Sequence, residues 1–139
     1  MRDTDRSVNP ILALCLLVAL SVAACTSGPP PTCHPSGSEL HIAVAKGTSH
    51  VFDTNCLAAP VDQAFSIEFR NDDNSPHGAH NITIISQDSE IVFSGKGIPP
   101  GGSSIVYEVQ PLPVGTYKFR CDTHPFMNGT FIVEEEVIT

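Results

Sequence analysis

A β-sandwich of about eight short strands is the fold class this sequence predicts. Three observations carry the prediction. Apolar and polar residues alternate in short runs, and clusters of Gly, Pro, Asn and Asp separate the runs. No ten-residue stretch holds a 3.6-residue apolar period. Twelve prolines, ten glycines and no tryptophan in 139 residues suit a loop-rich β domain.

The runs follow in order. "ELHIAVA" places Leu40, Ile42 and Val44 on one face. A short strand is expected near "SHVFD", residues 49–53. "AFSIEFR" turns Phe65, Ile67 and Phe69 inward and Ser66, Glu68 and Arg70 outward. "HNITII", "EIVFS", "SSIVYEV", "GTYKFRC" and "GTFIVEE" complete the set. Regularly spaced short strands in a domain this small indicate a sandwich. "NDDNSP", Asn71 to Pro76, reads as a turn because it lacks the spacing of a calcium loop. "EEE" at 134–136 reads as a solvated strand end.

The first residues read as an export signal. "ILALCLLVALSVAAC" is apolar, follows Arg2 and Arg6, and is too short for a comfortable membrane span. Its end, "LSVAAC", resembles the lipobox of bacterial lipoproteins, which implies cleavage after residue 24 and diacylation of Cys25. Two or more acyl chains anchor a protein stably, so the mature chain is expected on the outer face of a bacterial membrane, in the cell envelope or periplasm. The expected divisions are a signal peptide over 1–24, a lipidated cysteine and Pro/Ser/Gly tether over 25–38, and one folded domain over 39–139.

That division sets the cysteine arithmetic. Cys15 leaves with the signal and Cys25 carries lipid, which leaves Cys33, Cys56 and Cys121 in an oxidising compartment. A Cys33–Cys56 disulfide frees Cys121 for another role; a disulfide from Cys121 to either of the others is the alternative. The formal net charge is −8, and the charged residues before position 10 cancel, so the mature part is equally acidic. Such a surface repels nucleic acid and permits a cationic protein partner.

"FRCDTHPFMNG" holds Cys121, His124 and Met127 within seven positions. Successive antiparallel strands bring the loops 71–80, 95–102 and 121–129 to one pole, and the first of them ends on His80. Two imidazoles, a thiolate and a weak thioether form the ligand set of copper electron-transfer sites, and His80, His124, Cys121 and Met127 supply it. Zinc accepts a cysteine and two histidines but makes poor use of a methionine, and an iron–sulfur cluster needs more cysteines. His77 reads as a loop residue near the site, His34 belongs to the tether, and His41 and His50 are expected to face solvent.

"CDTHPFMNG" with an upstream "HNI" resembles the type 1 (blue) copper cupredoxins, and the Cys-x2-His-x2-Met loop with Pro-Phe before the Met is similar to that of amicyanin. The resemblance covers about residues 39–136. It implies an eight-stranded Greek-key sandwich, one mononuclear copper held by His80, Cys121, His124 and Met127, and a residue at Asn81 that pins the ligand loop. Arg120 and Asp122 flank Cys121, where multicopper oxidases carry histidines for a trinuclear cluster, and no second cysteine enters the loop as in dinuclear copper domains. The expectation is therefore a monomeric, membrane-tethered electron carrier rather than an enzyme, acting with a redox protein partner. The alternative is a copper storage or delivery protein outside the cytoplasm. The chain holds no methionine besides Met1 and Met127, so it lacks the Met clusters that would favour delivery.

Overall fold

The computed structural model describes residues 28–47 and 50–137. The expected signal peptide and the lipidation site Cys25 lie outside the described residues. Eight strands are present: β1 (Glu39–Gly47), β2 (Cys56–Pro60), β3 (Phe65–Asp73), β4 (Thr83–Ile85), β5 (Ile91–Ser94), β6 (Ser103–Val109), β7 (Gly115–Arg120) and β8 (Asn128–Glu134). No helix occurs among the described residues. A three-stranded sheet in the order β1-β3-β6 faces a five-stranded sheet in the order β2-β8-β7-β4-β5.

The alternation read from the sequence becomes the core. Leu40, Ile42 and Val44 of β1 and Phe65, Ile67 and Phe69 of β3 are all buried. They meet Phe119, Phe131 and Val133 in one apolar cluster with Ile82, Ile84 and Tyr107. Phe69 stacks on Tyr107 with ring centroids 6.0 Å apart, and Phe65 lies 5.5 Å from Phe131. Gly129 permits the closest approach: a Cβ there would sit 2.4 Å from the Phe119 ring and 2.5 Å from the Asn55 carbonyl.

Strand direction decides what meets at each pole. β1 pairs parallel with β3, and Gly47 lies opposite Asp73. β3 pairs antiparallel with β6, and β7 antiparallel with both β4 and β8. The ends of β1, β3, β5 and β7 therefore share a pole with the starts of β2, β4, β6 and β8. The expected gathering of loops is present there, and the β1–β2 connection joins it as a fourth member.

Three sequence readings need correction. The strand expected near "SHVFD" is reduced to a single bridge, Val44 to Phe52, and the second strand is instead Cys56–Pro60, whose "CLAAP" pairs parallel with β8. Its small side chains hide the alternation on which strand recognition depends. "NDDNSP" is not wholly a turn: Asn71, Asp72 and Asp73 close β3, and Asn71 and Asp73 are buried. The tether is also shorter than its composition suggests, because Cys33 is bonded to Cys56, Pro35 is buried, and the Ser38 carbonyl accepts the Ser66 N–H.

The Cys33–Cys56 disulfide spans 23 positions, and Cys121 is the free, buried cysteine among the described residues. Closing a loop of that length stabilises by about 3 kcal/mol on the chain-entropy model. Replacing both cysteines with serine is expected to lower the denaturation free energy by about that amount. Thiol titration of the unreduced, metal-free domain, started near residue 33, is expected to find one reactive group on unfolding, at Cys121.

Candidate metal centre

Four connections build the centre. β7 ends at Arg120, and the chain turns back through Cys121–Met127 before β8 begins. Two backbone bonds close this turn: Cys121 N–H to the Met127 carbonyl (3.0 Å) and Met127 N–H to the His124 carbonyl (2.8 Å). Cys121 and Met127 are thereby held buried, while Phe126 between them stands 66% exposed. His80 precedes β4 rather than lying within it; paired backbone bonds with Ile98 fix it to the 95–102 loop.

Asn81 ties the two loops together. Its Oδ1 accepts the Asp122 N–H (2.9 Å), and its Nδ2 donates to the Gly95 carbonyl (3.0 Å) and to Asp122 Oδ2 (2.8 Å). The Thr83 hydroxyl donates to the same carboxylate oxygen (2.8 Å). Thr123 Oγ1 donates to the Ala79 carbonyl and lies 3.5 Å from Cys121 Sγ.

Three donor atoms converge as a result. His80 Nδ1 lies 3.1 Å from His124 Nδ1, and Cys121 Sγ lies 3.6 Å and 3.9 Å from these nitrogens. These are the edges spanned by three ligands around one small ion with bonds of about 2.0 Å to nitrogen and 2.3 Å to sulfur. Met127 lies buried at the close of the same turn. A thiolate, two imidazoles and a nearby thioether suit copper better than zinc or a cluster. Of the sequence candidates, His80, Cys121 and His124 are brought together, Met127 ends the same loop and Asn81 buttresses it, while His77 is exposed.

His50, expected to face solvent, is instead part of the centre. Its ring stacks on His124 with centroids 4.6 Å apart and planes 12° from parallel. His50, His80 and His124 each offer a ring nitrogen within 4.8 Å of the others. His50 also adopts a left-handed backbone, with φ 49°, a region where histidine is enriched among non-glycine residues. The signal was available in the strand succession: β1 and β3 are two places apart, so both end at the metal pole. Asp73 was hidden because its cluster resembled a turn.

Asp73 links these histidines. Its Oδ2 lies 2.7 Å from His80 Nε2 and 2.7 Å from His50 Nδ1, and its Oδ1 accepts the Ser75 N–H at 2.6 Å. Burial alone would raise its pKa, but the bonds from His80, Ser75 and His50 outweigh that and hold it well below the usual carboxylate range. An ionised carboxylate only accepts hydrogen bonds, so His80 donates through Nε2 and leaves Nδ1 as the lone-pair nitrogen. Burial lowers the His124 pKa, and the nearness of two further imidazoles, His80 and His50, lowers it further against an opposing pull from Asp73.

The fold and this donor set define a β-sandwich of the blue-copper type. The profile of the cupredoxin-like domain matches residues 12–133, and the chain belongs to that family. The fold is similar to that of reduced auracyanin from the photosynthetic bacterium Roseiflexus castenholzii, at 21% identity and a TM-score of 0.60 over 71% of this chain and 98% of the other. It is similar too to auracyanin A, a "blue" copper protein from Chloroflexus aurantiacus, at 20% identity and 0.56 over 68% and 97%. A copper-containing nitrite reductase from Thermus scotoductus matches at 24% identity and 0.52, over 71% of this chain but 23% of its own. No curated protein matches the chain.

These shifts set the behaviour of the metal-free protein in acid. The unfolded chain protonates its histidines near pH 6.5, whereas folded His124 resists protonation. Folding stability is therefore full above about pH 6.5 and falls as pH drops below it. Asp73 contributes above about pH 3.9, and its contribution is lost as pH falls further towards its depressed value. Denaturant midpoints measured from pH 8 to pH 3 are expected to show two successive declines, and His124→Gln is expected to remove the upper one.

Proposed function

We propose that this chain is a type 1 copper protein that carries single electrons outside the cytoplasm, tethered to a membrane through lipid on Cys25. The observation that carries this reading is the convergence of His80 Nδ1, His124 Nδ1 and Cys121 Sγ within 3.9 Å of one another. His80, His124 and Cys121 would hold the copper strongly and Met127 would hold it weakly. Copper bound there supplies a one-electron Cu(I)/Cu(II) couple.

The residues of the chain do the rest. The loop bonds of Asn81, Met127 and His80 keep one donor geometry for both oxidation states, which keeps reorganisation small. Apolar packing around Cys121, which is fully buried, excludes water from the thiolate. His124 is half-buried beside exposed Phe126, with ring centroids 5.8 Å apart, and provides the edge through which electrons leave. A redox partner, cationic to match the acidic surface, docks there briefly and buries less than about 1,200 Å². The protein works as a monomer and catalyses no reaction of its own.

The purified chain is expected to bind one copper and to turn intensely blue on oxidation. Cys121→Ser is expected to lose the colour, since a hydroxyl cannot replace thiolate covalency. Met127→Leu is expected to keep copper and colour with a raised reduction potential, because loss of a donor weakens Cu(II) more than Cu(I). A colourless one-to-one Cu(II) complex of the wild type would sink the reading. Ready loss of copper to an apo acceptor, in place of reversible cycling, would instead assign the chain to copper delivery.

The tether is tested separately. A fatty-acid analogue fed to expressing cells is expected to label the wild type, and Cys25→Ala is expected to be unlabelled and released from the membrane fraction. Equal labelling of both proteins would remove the anchor from the proposal.

A further inference from the structure

The buried carboxylate behind the ligands has no role in the ligand set itself. Asp73 is fully buried, as is His80, and it is the one buried carboxylate among the described residues. Its position is built deliberately by the neighbouring chain. Asn71 Nδ2 donates to the Gly78 and Ile98 carbonyls, and Gly101 N–H donates to the Asp73 carbonyl, so the 71–80 and 95–102 loops close around the side chain. Gly78 leaves room for it: a Cβ there would lie 2.6 Å from the Asp73 carboxyl carbon. One oxygen then receives both His80 Nε2–H and His50 Nδ1–H, at 2.7 Å each. His50 passes the constraint on by lying flat against His124.

Resting on the copper reading above, we propose that Asp73 is the positioning residue of the metal centre, holding His80 directly and His124 through His50, and that its charge lowers the reduction potential. The chemistry follows from the two bonds. An anionic acceptor on Nε2–H pushes electron density towards Nδ1 and strengthens imidazole donation, as outer partners of metal-bound histidines do. A buried negative charge is poorly screened, so it favours the ion of higher charge. Both effects stabilise Cu(II) relative to Cu(I). His50 acts on position rather than on donor strength: pinned at one edge by Asp73 and held in a left-handed backbone, it presents its face to His124 and limits that ring's rotation. Neither Asp73 nor His50 is a ligand in this assignment.

The test uses the full-length chain and the variants Asp73→Asn and His50→Ala. Asp73→Asn keeps shape and removes charge. It is expected to bind copper and keep the blue band, while its preference for Cu(I) over Cu(II) rises at least tenfold, about 59 mV for one electron. His50→Ala is expected to release copper at least tenfold faster, with a potential nearer the wild type than that of Asp73→Asn. A residue that merely supports the fold would lower thermal stability and leave the potential in place, and that result would overturn the role of Asp73. Copper release from His50→Ala at the wild-type rate would overturn the relay through His50. If Asp73→Asn does not fold, nitrogen-15 NMR of the metal-free wild type decides: a proton on His80 Nε2 supports the assignment, and one on Nδ1 overturns it. A wild type that binds copper without the blue band would defeat the copper-carrier reading itself, whereas a blue wild type with unchanged variants would defeat the Asp73 assignment alone.

Discussion

Two ring nitrogens 3.1 Å apart, with a sulfur within 3.9 Å of both, form an arrangement that the side chains themselves resist. Lone pairs facing one another gain nothing, and burying them removes water that would otherwise satisfy them. The protein must therefore hold the donors in place with bonds made elsewhere. His80 is held by its backbone pairing with Ile98 and by Asp73. Cys121 and His124 are held by the closed turn ending at Met127, and that turn is tied to Asn81 through Asp122. Every one of these restraints acts on a loop, and each loop starts or ends on a strand of the sandwich.

The sandwich serves this purpose through strand direction. Parallel pairing of β1 with β3 and of β2 with β8 brings the β1–β2 connection to the pole that already holds the other three loops. Without that pairing, His50 would lie at the far end and Asp73 would meet one histidine only. The apolar core between the sheets, with Phe69, Phe119 and Phe131 fully buried, gives the loops of this pole a close-packed base.

Much of this was legible in the sequence. The inward faces of β1 and β3, and the gathering of the 71–80, 95–102 and 121–129 loops, follow from period-two alternation and strand succession. The family follows from "CDTHPFMNG" and "HNI". What stayed hidden shares one physical cause: residues whose role comes from long-range contact carry no local pattern. Asp73 sits in a polar cluster that looks like a turn, yet it closes a strand and is buried. His50 fell within a stretch expected to be a strand; strand succession brings it to the metal pole, and only the stack on His124 gives it a role there. The small residues of "CLAAP" conceal β2, because alanine on both faces of a strand erases the alternation.

The disulfide adds a constraint on how a tethered domain would stand. Cys56 begins β2 opposite Thr130, close to where the Met127 turn ends, so Cys33 is fastened near the metal pole. From Cys33 the chain runs to Glu39, the start of β1, at the opposite pole. A lipid on Cys25 would therefore reach the domain from its metal side, through the few residues that precede Cys33. At about 3.3 Å per residue these span at most about 26 Å, well short of the reach of a free tether running to residue 38. A domain fastened in this way cannot swing its metal end far from the membrane surface. The exposed side of His124 and Phe126 would then meet partners that lie in or against the same membrane sooner than partners diffusing far from it.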